Sequence, residues 1–131
     1  MLPDGIVAYL AQQPSITAIV VDRIQPIPAP ADIDSFLPGI TYQSPSDISE
    51  NANDGPVGLA TMRIVFDCFA QRYLDARNLA RALKAVLNGF AGDLPDGTHV
   101  ELTQSVNIVD RFDDGSRIYC STVHWLLQYR D

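Results

Sequence analysis

The sequence predicts an α+β domain, an antiparallel sheet of about four strands with one long and one or two short helices packed on one face. Three observations carry this expectation. Leu59 to Ala70 alternates with period two, so that Met62, Ile64, Phe66 and Cys68 point one way and Arg63, Val65, Asp67 and Phe69 the other. From Tyr73 to Phe90 the apolar residues Ala76, Leu79, Ala80, Leu83, Val86, Leu87 and Phe90 share one helical face. Thr98 to Val109 and Arg117 to Tyr129 then read as two strands joined across Asp113-Asp114-Gly115, the composition of a hairpin turn.

The remaining elements follow in order. Leu2-Pro3-Asp4 opens like a helix start, and Ile6, Val7, Leu10 and Ala11 recur at helical spacing, giving a short helix from about Asp4 to Gln13 that Pro14 stops. Ser15 is placed to cap a further helical turn through Ala18 to Val20, after which Asp22, Arg23 and Ile24 run extended into Pro26. Pro26, Pro28, Pro30 and Pro38 remove backbone donors and fix φ, so the stretch to Gly39 reads as a loop. Ile40 to Ser44 reads as a strand, and the polar, breaker-rich run from Pro45 to Val57 as an exposed loop. Gly89 and Gly92 suit the end of the long helix. In the last strand Tyr119, Val123, Trp125, Leu127 and Tyr129 line one face, while Cys120, Thr122, His124, Gln128 and Arg130 occupy the more polar one.

Composition bounds the function. A chain of 131 residues has room for one domain, spanning 1–131. Hydrophobic residues at 47% and charged ones at 19% are too apolar a balance for a disordered chain. The longest apolar run, Ile16 to Val21, is far short of the ~20 residues that span a bilayer, and Met1 to Leu10 lacks the basic start of a secretory signal. Synthesis in the cytosol without a membrane partner is the expectation. Nine basic against sixteen acidic side chains give a net charge of -7, which opposes the phosphate neutralisation behind DNA affinity. A protein that DNA slides past without adhering can carry this charge, as can one that is acidic merely for solubility.

Chemistry-bearing motifs are sparse. Gly89, Gly92 and Gly97 follow a helix instead of leading into one, so they do not form a phosphate-cradling loop. His99 and His124 belong to no nucleophile motif and read as structural residues of half-exposed strands. Asp110, Asp113 and Asp114 lack the full ligand set of about six to eight oxygens that calcium takes, and read as turn composition, as do Asp93 and Asp96. Cys68 and Cys120, each inside a strand, read as buried reduced thiols. No catalytic residue, metal site or cofactor is expected, and the chain reads as a non-enzyme. One surface is organised: Arg77, Arg81, Lys84 and Asn88 fall on one stripe of the long helix, away from its apolar face, with Arg72 just before it. It is either a solvated face or a contact for an acidic surface on a neighbouring subunit.

The order of these features resembles the phage tail-completion family, also called tail terminators or tail-to-head joining proteins. The residues concerned are Asp22-Arg23-Ile24 running into Pro26, Asp67-Cys68-Phe69-Ala70 closing a strand, and a helix of the type Tyr73-x-x-Ala76-Arg77-x-Leu79-Ala80-x-Ala82-Leu83. A Leu87-x-Gly89-Phe90 ending and a final strand closing on Leu127-Gln128-Tyr129-Arg130 complete the likeness, which is weakest between Ala29 and Gly58.

The resemblance implies a virion protein related in fold to the tail terminator of phage lambda. Such a subunit forms a hexameric ring on the last ring of the tail tube, can be monomeric in solution before it assembles there, stops tube growth and meets the head connector or adaptor at the tail-neck junction. It is made in the bacterial cytoplasm, and DNA passes its lumen without specific binding. For the ring contact the expectation pairs Arg77, Arg81 and Lys84 with the acidic loop residues Asp47, Glu50 and Asp54. Asn51, Asn53, Asp113 and Asp114 are the expected loop contacts to tube or connector. Two other readings stay open: a different neck or tube ring subunit, and a small-molecule-binding α+β domain whose pocket would hold His99 or His124 beside acids.

Overall fold

The computed structural model describes residues 2–44, 59–95, 97–115 and 117–130. Helix α1 (Leu2–Leu10) buries Ile6 and Leu10, and α2 (Pro14–Val20) buries Ile16 and Val20. Pro14 begins α2 at its first position, where the missing N–H is not needed, and Gln13 holds the N-cap position in place of the expected Ser15. Strand β1 (Ile24–Pro26) follows, then a 3-10 turn at Ile33–Phe36 within the proline-rich loop, then β2 (Gly39–Gln43). A Cβ on Gly39 would collide with the carbonyl and ring of Phe36, so only glycine lets that turn approach the strand. The expected loop from Pro45 to Val57 lies outside the described residues.

Strand β3 (Leu59–Ala70) and helix α3 (Tyr73–Leu87) match the periodicities that predicted them. The helix ends three residues earlier than Phe90 because Asn88 caps it and Gly89 takes φ +73°, from which its N–H reaches the Thr103 carbonyl on the neighbouring sheet at 3.2 Å. Asp75 in the first turn and Lys84 in the last complement the helix dipole. Strands β4 (Gly92–Asp93), β5 (His99–Asp113) and β6 (Ile118–Arg130) complete the chain. The hairpin is longer than expected, since pairing with β6 carries β5 through Asp110 to Asp113.

The six strands lie in the order β1-β2-β3-β6-β5-β4. The expected count of about four falls short of six: the extended run into Pro26 forms the short β1, and the two-residue β4, defined by its neighbour more than by its own sequence, has no counterpart in the sequence reading. The sheet is also mixed, because β1 runs parallel to β2 while every other pair is antiparallel. The loop from Ile27 to Pro38 is the crossover that a parallel pair requires. Arg23 holds its far end, donating from Nε to the Pro38 carbonyl at 2.8 Å and from Nη2 to the Ile19 carbonyl at 3.2 Å.

All three helices cover one face. Met62, Ile64, Phe66 and Cys68 from β3 and Val123, Trp125 and Leu127 from β6 meet Leu79, Leu83 and Leu87 of α3, with Ile6, Leu10, Ile16 and Val20 closing the side. Burial of each such side chain contributes on the order of 1.5–3 kcal/mol, which makes this layer the main source of stability. Among the described residues no helix is long and apolar enough to cross a membrane.

Candidate subunit-contact surface

Helix α3 turns its apolar stripe to the sheet, so Arg81 and Lys84 stand exposed on the outer side as their spacing requires. Arg77 differs. Its guanidinium donates to both carboxylate oxygens of Asp110 on β5, at 3.2 and 3.3 Å, and is half-buried. Asp110 also accepts from the Ser121 hydroxyl at 2.7 Å and the Tyr73 hydroxyl at 3.1 Å. These donors, Ser121 first, pull the Asp110 carboxyl below the usual aspartate range against a smaller opposing effect of burial. Sequence spacing treats the three basic residues alike, whereas cross-strand register commits one of them within the subunit.

Tyr73 is half of a second feature. Its ring meets Tyr119 edge-on with centroids 6.0 Å apart, and Tyr119 packs on Phe112 at 4.6 Å. Tyr73, Leu74 and Phe112 remain among the most exposed large hydrophobic residues of the described chain. The start of α3 and the end of the β5–β6 hairpin therefore form one patch of aromatic, aliphatic and arginine side chains, the composition favoured at protein contacts.

Asp113 ends β5 and Asp114 lies in the hairpin turn, both exposed. Asp47, Glu50, Asn51, Asn53 and Asp54 lie outside the described residues, so their pairing with the helix has no geometry to report.

The face of the sheet opposite the helices carries a network that the sequence did not reveal. Asp67 on β3 accepts from the Thr122 hydroxyl at 2.6 Å and from Arg111 at 3.2 Å, and Arg111 also donates to Thr122 at 2.9 Å. Cys120 donates from Sγ to Asp67 at 3.7 Å. Burial and the Asp67 charge raise the Cys120 thiol pKa above its usual value despite Thr122 and Arg111. Burial raises Cys68 well above it. Both thiols are free and buried, on opposite faces of the sheet. Alternation alone could place Asp67 and Thr122 on this face; that they meet Arg111 depends on long-range register.

Two hollows open on this side. One, of about 580 Å³, is lined by Ala29, Pro30, Phe69, Arg111, Ile118 and Cys120 among others. The other, of about 440 Å³, includes His124, Arg111 and Asp67, the last already bonded. His99 lies elsewhere, with Nδ1 2.7 Å from Asp93 and Nε2 3.3 Å from Glu101, joining β4 to β5. Neither hollow gathers a histidine with several acids, and no group of three metal-binding side chains occurs among the described residues.

The fold has a counterpart in a solved virion. A chain from the virion of the native gene transfer agent (GTA) particle superposes with a TM-score of 0.72 over 94% of this chain and 90% of its own length, at 14% identity. No curated protein matches the sequence. The model of the family described as tail completion protein gp17 matches residues 4–130, covering every strand and helix that builds the patch. The chain belongs to the tail completion protein family and is a structural component of a phage-type tail.

Proposed function

We propose that the protein forms a hexameric ring that caps the tail tube, ends its growth and joins the tail to the head connector at the tail-neck junction. Family membership over residues 4–130 is the observation that carries this reading. It is supported by a surface whose composition suits protein contact, the exposed Arg81 and Lys84 beside Tyr73 and Leu74. The subunit is made in the bacterial cytoplasm and is monomeric until it meets the tail. Asp47, Glu50 and Asp54 of one subunit face Arg81 and Lys84 of the next, while Asn51, Asn53, Asp113 and Asp114 meet tube or connector. DNA passes the net acidic ring with little adhesion.

Electron microscopy of tubes polymerised with and without the protein tests the reading. Tubes that stop growing and gain a terminal ring only in its presence support it. Unlimited self-stacking of the purified protein would instead identify a tube subunit. Arg81→Glu with Lys84→Glu is the informative variant, expected to weaken capping without unfolding the subunit. Arg77→Glu confounds the result by breaking its internal pair with Asp110.

A further inference from the structure

The sheet ends in two edges of opposite character. At one end β1 is three residues long and turns no free backbone donor outward. Bonds from the Ile40 N–H to the Arg23 carbonyl and from the Ile27 N–H to the Tyr42 carbonyl set its parallel ladder so that Gln25 faces β2, leaving Ile24 and Pro26 on the outer side. The Ile24 N–H is taken by the Asp22 carbonyl at 2.9 Å, and Pro26 has none. A short edge strand carrying proline is closed to further pairing.

At the other end β5 is covered only over its first part. β4 pairs with His99 and Val100, and the Gly89 N–H reaches the Thr103 carbonyl. Beyond that point no strand of the described residues flanks β5 on the side away from β6. Its register irregularities lie upstream, between Val100 and Leu102 and between Ser105 and Asn107, so Asn107 to Phe112 runs as a regular ladder without bulge or proline. In an antiparallel ladder every second residue turns its N–H and C=O away from the partner strand, so this run presents a row of outward donors and acceptors. The charged side chains along it do not guard it, because Asp110 is engaged by Arg77 and Ser121, and Arg111 by Asp67 and Thr122.

Register also fixes what an added strand would meet. Ile108 pairs with Val123 of the covered face, so Ile108, Asp110 and Phe112 stand on the helix side and Asn107, Val109 and Arg111 on the open side. Val109 and Phe112 are 41% and 42% exposed, and the Arg111 side chain is 60% exposed despite its internal bonds. Another copy of this sheet does not fit the edge in a ring. β1 is closed, and two β5 edges paired about a twofold axis stop at two copies. β5 instead leads into the turn at Asp113 and Asp114, which in the ring reading meets a different protein.

We propose that β5 from Asn107 to Phe112 accepts an extended segment of the tail tube protein as a seventh strand of the sheet. That segment carries apolar residues toward Ile108 and Phe112 and a carboxylate across from Arg111. The inference rests on the ring reading and names how the ring grips the tube.

Hydrogen exchange read residue by residue, on the free subunit and on headless capped tubes, tests it. Alternate amides between Asn107 and Phe112 should exchange fast in the free subunit and slow by about tenfold or more on the tube. Val109→Lys places a lysine on the exposed edge, and should leave the thermal midpoint unchanged while lowering capping about tenfold. Normal capping with those amides as labile as in the free subunit overturns strand addition and leaves the ring reading standing. Protection of the same amides in the purified protein, rising with concentration as dimers form, assigns the edge to a second copy and overturns the tube as its partner. Absence of any ring or capping by the unsubstituted protein overturns both readings.

Discussion

The two faces of the central sheet are made by the same strands yet held by different physics. On the covered face, even-numbered residues of β3 and odd-numbered residues of β6 bury Phe66 and Trp125 beneath α3. That layer needs only apolar volume in the right alternation. On the opposite face the intervening residues assemble Asp67, Arg111 and Thr122, which must meet at hydrogen-bond distances. One face tolerates variation of shape within a volume, whereas the other depends on particular donors and an acceptor.

The largest effect should come from the covered face. Trp125→Ala is expected to destabilise the subunit by about 3–5 kcal/mol in denaturant titration, through lost burial and the cavity left. Trp125→Phe should cost well under half of that, because the indole Nε1 has no hydrogen-bond partner among the described residues and its removal relieves an unsatisfied buried donor. Equal losses for the two variants would mean that the indole N–H contributes to stability after all. The comparison separates volume from polarity at one position.

An intermediate effect belongs to the open face. The Asp67 side chain is 13% exposed, and Asp67→Ala leaves the Thr122 hydroxyl and Arg111 without their shared acceptor, an expected loss of about 1–3 kcal/mol. Asp67→Asn keeps one acceptor oxygen and should fall between. If alanine proves neutral, the network is a passive consequence of strand pairing and the contrast between the faces disappears.

Legibility in the sequence follows the same division. β3, α3 and β6 were readable because their periodicities are local and long, and the covered face followed from them. The parallel placement of β1, the two-residue β4 and the extension of β5 to Asp113 depend on partners distant in sequence, which alternation cannot identify. Within the candidate surface, helical spacing correctly set Arg81 and Lys84 outward. It could not show that Arg77 is held by Asp110, thirty-three positions away, or that Tyr73 joins Tyr119 and Phe112. The positive φ of Val21, where the chain turns from α2 into β1, leaves no trace in composition, since only the backbone angles reveal it.

The smallest expected effect concerns the margin where the helix layer meets β5. Asp110 is ionised more readily in the folded subunit than in the unfolded chain, with Ser121, Tyr73 and Arg77 favouring the charged form. A depressed folded pKa contributes stability that is fully present above the unfolded value, about 4, and is lost as pH falls through that value toward the folded one. Asp110→Asn should therefore lower the thermal midpoint most at neutral pH and flatten its decline between about pH 5 and pH 3, so that the two proteins converge in acid. The site is partly solvated, so screening keeps the change smaller than that of either buried substitution. A variant whose pH profile runs parallel to the unsubstituted protein would show that the carboxylate titrates alike in both states. In that case the Tyr73–Arg77 cluster is held by packing on Tyr119 and Phe112, and the charge at Asp110 serves contacts outside the subunit.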